Sequence, residues 1–174
     1  MAVDLKDRVR DVPDWPEQGV VFRDITPLLR DPEALDQTVH LLAEWGKPRE
    51  PDVVVGAEAR GFILGAAIAR EMGCGFVPAR RPGKLPPETV GATYALEYGQ
   101  NTLELHPETI RDGDRVLIHD DVLATGGTVE AIAGLVESLG AEVVGVAFII
   151  PLSVLVLVAF WLFMFWLAVF AGVP

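Results

Sequence analysis

Val116-Leu117-Ile118-His119-Asp120-Asp121-Val122-Leu123-Ala124-Thr125-Gly126-Gly127-Thr128 decides the reading of this chain. A short apolar run ends in two adjacent carboxylates, and a small turn rich in glycine and hydroxyls follows. Val129, Ile132, Leu135, Val136 and Leu139 then recur at helical spacing, so the turn feeds a helix. The first turn of a helix has unpaired N–H groups and the positive end of the dipole, which suits a phosphate. Glycines allow close approach to phosphate oxygens, and threonine hydroxyls add donors. No Lys precedes Thr128, so this is not a Walker A loop, and adjacent Gly126 and Gly127 rule out the G-x-G-x-x-G dinucleotide turn. Asp120 and Asp121 can accept hydrogen bonds from two ribose hydroxyls while the loop holds a 5-phosphate. An ordinary capped helix after a strand is the plain alternative.

The 174 residues suffice for one domain with a sizeable core. With 14 basic and 25 acidic side chains, the net charge of −11 argues against nucleic acid as a partner. The single cysteine, Cys74, excludes an internal disulfide, fits a reducing compartment and reads as a small packed thiol. Charges at Asp4, Lys6, Asp7, Arg8 and Arg10 interrupt any secretory apolar region, so a cytoplasmic location is expected.

Moving outward in chain order, residues 3–10 read as a short amphipathic helix ending before Pro13, and Gly19–Pro27 as an extended or looped segment. Asp31-Pro32-Glu33 starts a helix that Gly46 ends. Val53–Gly56 is a continuous apolar strand of the buried parallel type. It runs into Glu58-Ala59-Arg60-Gly61 and an apolar helix from Phe62 to Met72. Arg60, at a strand's carboxyl end, suits a bidentate grip on phosphate, with a structural ion pair as the alternative. After a strand at 76–79, Arg80, Arg81 and Lys84 lie among prolines and a glycine. Such a basic loop can close over a polyanion and exclude water. Thr89–Glu97 and Thr102–Leu105 alternate as a hairpin turning at 98–101. His40 and His106 read as structural. Strands at 53–56, 76–79, 115–119 and 142–150 alternating with helices give an α/β fold: an open, mainly parallel sheet with helices on both faces. Ligands bind such sheets at the carboxyl ends of the strands.

Around these residues the chain resembles the type I phosphoribosyltransferases. The signature 116–128 carries the likeness to the family, and four flanking motifs carry the likeness to its adenine-specific branch. They are Val21-Phe22-Arg23-Asp24-Ile25-Thr26-Pro27-Leu28-Leu29, Glu58-Ala59-Arg60-Gly61-Phe62, Arg81-Pro82-Gly83-Lys84-Leu85-Pro86 and Tyr94-Ala95-Leu96-Glu97-Tyr98-Gly99. The resemblance covers roughly residues 3–150 and implies a phosphoribosyltransferase domain over 1–150, with a hairpin hood at about 88–106. The reaction it implies joins adenine to phosphoribosyl pyrophosphate, giving AMP and pyrophosphate. It implies Mg²⁺ carried by the pyrophosphate and ribose with no direct protein ligand, and a homodimer. Ala124, Thr125, Gly126, Gly127 and Thr128 would hold the 5-phosphate, and Asp120 and Asp121 the ribose hydroxyls. Arg60 and the Glu58-Ala59 peptide would meet the pyrophosphate, with Arg80, Arg81 and Lys84 on the closing loop. Val21, Phe22, Arg23 and Val122 would line the adenine pocket. Glu97, beside Tyr98 on the hood, would be the acid/base, with Glu97 and Arg60 as the catalytic pair. His119 departs from the aliphatic residue more common in the family and reads as filling a strand position. The other functional class considered is a catalytically silent nucleotide-sensing regulator on the same fold, and a sibling purine enzyme is a third reading.

The resemblance stops at Pro151. Every charged residue lies at or before Glu142, and Leu152 to Phe170 contains one hydroxyl and no charge. That length of apolar chain suffices for a transmembrane helix, although no Lys or Arg flanks it. A membrane anchor through 152–170, an end foreign to the family from a frameshift or design, and a buried apolar helix are the three expectations for residues 151–174.

Overall fold

The computed structural model describes residues 3–95, 100–123 and 126–151. The expected apolar helix of the tail and the anchor reading lie outside them. Among the described residues no helix is long and apolar enough to cross a membrane.

The amino-terminal segment differs from the expected helix over 3–10. A single 3-10 turn covers Leu5–Arg8, and β1 (Arg10–Pro13) then pairs antiparallel with β2 (Val21–Asp24). The register places Arg10 opposite Asp24 and Asp11 opposite Arg23, and both pairs form ion pairs. An eight-residue helix is marginal by itself, so cross-strand pairing and opposite charges decide the conformation. The Asp24 carboxylate also accepts from Thr26 N–H at 2.8 Å, and a short helix, α1 (Thr26–Arg30), begins there, where an extended or looped segment was expected. Pro27 is tolerated because it falls in the first turn. The helix α2 (Pro32–Gly46) begins as expected: Asp31 accepts from Glu33 N–H at 3.0 Å and Ala34 N–H at 3.2 Å. Such a cap stabilises by about 1 kcal/mol.

The remaining elements build the sheet. β3 (Val53–Ala57) leads to α3 (Arg60–Met72) and β4 (Gly75–Ala79). A hairpin of β5 (Val90–Ala95) and β6 (Gln100–Leu105) precedes β7 (Arg115–His119). Ala95 pairs with Gln100, so the connection is 96–99 rather than 98–101. A two-residue strand, β8 (Val122–Leu123), then α4 (Gly127–Ser138), β9 (Glu142–Ala147) and β10 (Ile150–Pro151) complete the order. The central sheet is parallel, in the order β4-β3-β7-β9. Residues 148–149, expected to continue the last strand, instead lead to β10, which pairs with β8. Ile149 and Ile150 N–H groups both donate to the Asp121 carbonyl, at 3.1 and 3.0 Å.

Both faces of the sheet are covered, which explains the unbroken apolar reading of β3. Val53, Val55 and Ala57 pack with Val116, Ile118 and the Val129, Ile132 and Val136 side of α4. Leu103 and Leu105 bring the hairpin into that same cluster. Val54 and Leu117 face the other way, onto Leu64, Ile68 and Ala69 of α3 and Leu35, Val39 and Leu42 of α2. The order reverses at β3, with β4 on one side and β7 on the other. Such a switch point opens a crevice at the carboxyl ends of the strands.

His119 ends β7 and is fully buried, opposite Gly56 on β3 and Ala147 on β9. Its Nδ1–H donates to the Ala147 carbonyl at 3.0 Å, which leaves Nε2 as the unprotonated nitrogen. Burial pushes its pKa down to about 4, against a small upward pull from that bond. The folded state therefore keeps His119 neutral, while the unfolded chain takes up a proton below its ordinary value of 6.5. Stability should fall as the pH drops from 6.5 toward 4 and level off below the folded value. Urea unfolding of wild type and His119→Val across that range checks this: the valine variant should lack that part of the slope.

Candidate active site

Gly61 sets the distance between the two halves of the crevice. A Cβ there would lie 2.7 Å from the His119 carbonyl oxygen and 3.4 Å from Asp120 Cα. Only glycine lets the first turn of α3 abut the end of β7 this closely. Gly56 serves the same approach from β3, where a Cβ would lie 2.8 Å from the Gly61 carbonyl oxygen. Neither glycine could be assigned that role from the sequence, because each fits against elements distant in the chain.

The consequence is a contact between Arg60 and Asp121. Arg60 Nε lies 2.8 Å from Asp121 Oδ2, angled as an ion pair rather than an aligned hydrogen bond. The Asp121 side chain is 2% exposed and that of Arg60 42%, so the carboxylate is interior while the guanidinium reaches the opening. Arg60 also stands 5.2 Å from the Phe22 ring, which Trp15 holds edge-on at 4.4 Å. One cation thus connects the β1–β2 hairpin, the start of α3 and the end of β7. The structural ion pair weighed for Arg60 is present, and it lies within the crevice.

The adjacent acids differ. Asp120 Oδ1 accepts from Asp121 N–H at 2.9 Å. Burial and then the neighbouring Asp121 charge push Asp120 up to about 7. Burial also raises Asp121, but Arg60 opposes the shift. The pair therefore holds less than two full negative charges near neutrality, with Asp121 the better stabilised anion.

A cavity of about 300 Å³ is lined by Val20, Val21, Phe22, Arg23, Glu58, Ala59, Arg60, Asp120, Asp121, Val122 and Thr128. The expected residues Val21, Phe22, Arg23, Glu58, Ala59, Arg60, Asp120, Asp121, Val122 and Thr128 thus line one cavity. Val20 is the addition, legible only as a neighbour of the motif. Gly126, with φ +88°, precedes α4, and Gly127 starts it. The left-handed conformation explains a glycine at that cap. Thr128, in the first turn of α4, lines the cavity, so the amino-terminal end of that helix borders it.

Arg80 and Arg81 do not line the cavity and meet its edge through Glu58. Lys84 belongs to the same turn and is exposed. Glu97, Tyr98, Ala124 and Thr125 lie outside the described residues. Among the described residues no cluster of three or more His, Cys, Asp or Glu is arranged to hold a metal.

The comparisons with known proteins bear on the family and the fold. The family described as phosphoribosyl transferase domain matches residues 28–152. The adenine phosphoribosyltransferase of Thermotoga maritima is 56% identical over 153 residues, 88% of this chain and 88% of that protein. That of Lactobacillus delbrueckii subsp. bulgaricus is 52% identical, covering 88% of this chain and 87% of the relative. Among solved structures, the adenine phosphoribosyltransferase of Rhodothermus marinus superposes with a TM-score of 0.80 at 54% identity, covering 85% and 84% of the two chains. The Saccharomyces cerevisiae enzyme, solved with an imino-altritol bisphosphate and adenine, gives 0.81 at 37% identity, covering 86% and 87%. With the family matched over residues 28–152 and relatives matched over most of their length, the chain belongs to the phosphoribosyltransferases, in the adenine phosphoribosyltransferase branch.

Proposed function

We infer that this chain forms AMP and pyrophosphate from adenine and 5-phosphoribosyl 1-pyrophosphate, a purine-salvage pentosyl transfer. The observation carrying this reading is the single cavity in which Phe22, Arg60, Asp120, Asp121 and Thr128 meet. It offers an apolar wall, a cation, two acids and a helix amino terminus within one small volume. Those are the chemistries of a flat purine, a pyrophosphate, a ribose diol and a 5-phosphate.

In the transfer, a bond forms between an adenine ring nitrogen and ribose C1 while the bond from C1 to the pyrophosphate oxygen breaks. The bonding pair leaves with the pyrophosphate, and the proton on the attacking nitrogen goes to a base. Glu97 is the proposed base, from its place in the purine-side motif. Val21, Phe22, Arg23 and Val122 hold the base plane, with Tyr98 from the hairpin. Asp120 and Asp121 accept from the ribose hydroxyls, and Ala124 through Thr128 hold the 5-phosphate. Arg60 and the peptide linking Glu58 and Ala59 meet the pyrophosphate, with Arg80, Arg81 and Lys84 on the far side. Charge accumulates on the departing oxygens, so a cation fixed there lowers the barrier more than it tightens the ground state.

Mg²⁺ fits the donors present. No side chain is a direct ligand in this reading: Asp120, pushed up by burial and a like charge, lines the cavity, and a divalent ion held on the substrate would favour its ionised form. The ion, carried by ribose and pyrophosphate oxygens near Asp120 and Asp121, would supply further neutralisation of the leaving group. A cytoplasmic homodimer, and a domain ending near residue 150, complete the proposal.

Two measurements test it. AMP formation from adenine, with hypoxanthine and guanine as controls, should be selective for adenine in the full chain and in a chain ended after Pro151. No turnover in either form would sink the enzymatic reading in favour of the silent regulator, and turnover with hypoxanthine alone would move it to a sibling enzyme. Second, kcat/KM for phosphoribosyl pyrophosphate should rise with pH through about 7, as Asp120 loses its proton and both acids become acceptors. Asp120→Asn should lower that ratio and flatten its rise across neutrality.

A further inference from the structure

An acid on the wall of a cavity meant for a polyanion needs a reason. The Glu58 side chain is 7% exposed and directly follows β3, on the wall of the crevice. It stays ionised: the Arg81 N–H, 3.0 Å away, is the largest influence holding its pKa below the usual range, with the Arg81 and Arg80 side chains assisting. Left unpaired, that charge would oppose pyrophosphate. Instead its carboxylate is paired with the basic turn.

The contacts form a chain of positions. Glu58 N–H donates to the Ala79 carbonyl at 2.9 Å, adding a rung beyond the β3–β4 register. Its Oε2 accepts from Arg80 Nε at 3.3 Å, and Oε1 from Arg81 Nε and a terminal guanidinium nitrogen, both at 3.3 Å. Arg80 then donates from its other end to the Lys84 carbonyl at 3.0 Å, closing the turn that contains Pro82 and Gly83. The Arg80 backbone is fixed separately, by paired hydrogen bonds with Glu104 at 2.9 and 2.7 Å. One buried carboxylate therefore sets two guanidinium groups directly and the Lys84 backbone through Arg80. Two cations against one anion leave the cluster net positive. The side-chain bonds are long for charged partners, so the arrangement orients the arginines without saturating them.

We propose that Glu58 is a positioning residue: its carboxylate holds Arg80, Arg81 and the Lys84 turn in the orientation that receives the pyrophosphate of phosphoribosyl pyrophosphate. This rests on the function proposed above and gives the Glu58 side chain a role distinct from that of its peptide group. Preset cations bind a polyanion without the entropy cost of ordering the loop at the moment of binding. The effect belongs to the donor substrate and not to adenine.

Glu58→Gln keeps the size and removes the charge. It should raise KM for phosphoribosyl pyrophosphate about tenfold, with kcat and the KM for adenine changed by less than about twofold. Glu58→Asp, charged but shorter, should recover part of the loss. A second readout does not depend on turnover. Trypsin cleavage at Arg80–Arg81 and Lys84–Leu85 in the otherwise folded protein should be faster in Glu58→Gln than in wild type. Arg80→Gln, which removes the link from Glu58 to the Lys84 carbonyl, should speed cleavage at Lys84–Leu85 in the same way. Unchanged donor KM together with unchanged cleavage would overturn the proposal, as would equal losses for both substrates. If the wild-type chain turns over no adenine, the functional reading falls, and the cleavage comparison still decides whether Glu58 orders the turn.

Discussion

The crevice depends on the approach of α3 to the end of β7, and the ion pair between Arg60 and Asp121 is its chemical result. Backbone meets backbone at Gly61 with no room for a Cβ, so the two strand–loop–helix units are held at a fixed separation. Asp121 is interior and needs a countercharge, whereas Arg60 is half in water and can serve a ligand as well. A buried carboxylate that lost its partner would be costly, so the fold and the cation's position support each other. Phe22 completes the arrangement by placing an aromatic face beside the same guanidinium.

Charge is distributed against the average of the chain. The protein is strongly acidic, yet Arg60, Arg80, Arg81 and Lys84 gather at the carboxyl ends of β3 and β4. Acids within that region are individually accounted for: Asp121 by Arg60, Glu58 by Arg80 and Arg81, and Asp120 by a raised pKa that keeps it partly protonated. The local field therefore favours a polyanion although the net charge does not. Confined fields of this kind act through nearby groups, since salt screens the distant surface acids.

Much of this was legible in the sequence because it is local. The apolar runs 53–56 and 116–118, the Asp31 cap, the adjacent acids and the glycines at the start of α4 are contiguous patterns. The β1–β2 pairing was not, because Arg10 and Asp24 become partners only once the chain turns back on itself. Glu58 shows a different limit: its place in a motif was readable, but its partners are two arginines just past the end of the neighbouring strand. Val20, Gly56 and Gly61 have functions set by what packs against them. His119 illustrates the converse, an unexpected residue whose position in the strand already indicated a filling role, and whose ring is fully enclosed.

The account stands or falls on Arg60 and Asp121 acting as one unit that serves the donor substrate. A double-mutant cycle on kcat/KM for phosphoribosyl pyrophosphate, using Arg60→Gln, Asp121→Asn and the pair together, measures that directly. Strong non-additivity is expected, with the double variant no worse than the poorer single variant. Losses that simply add would contradict the account, because the two side chains would then act independently.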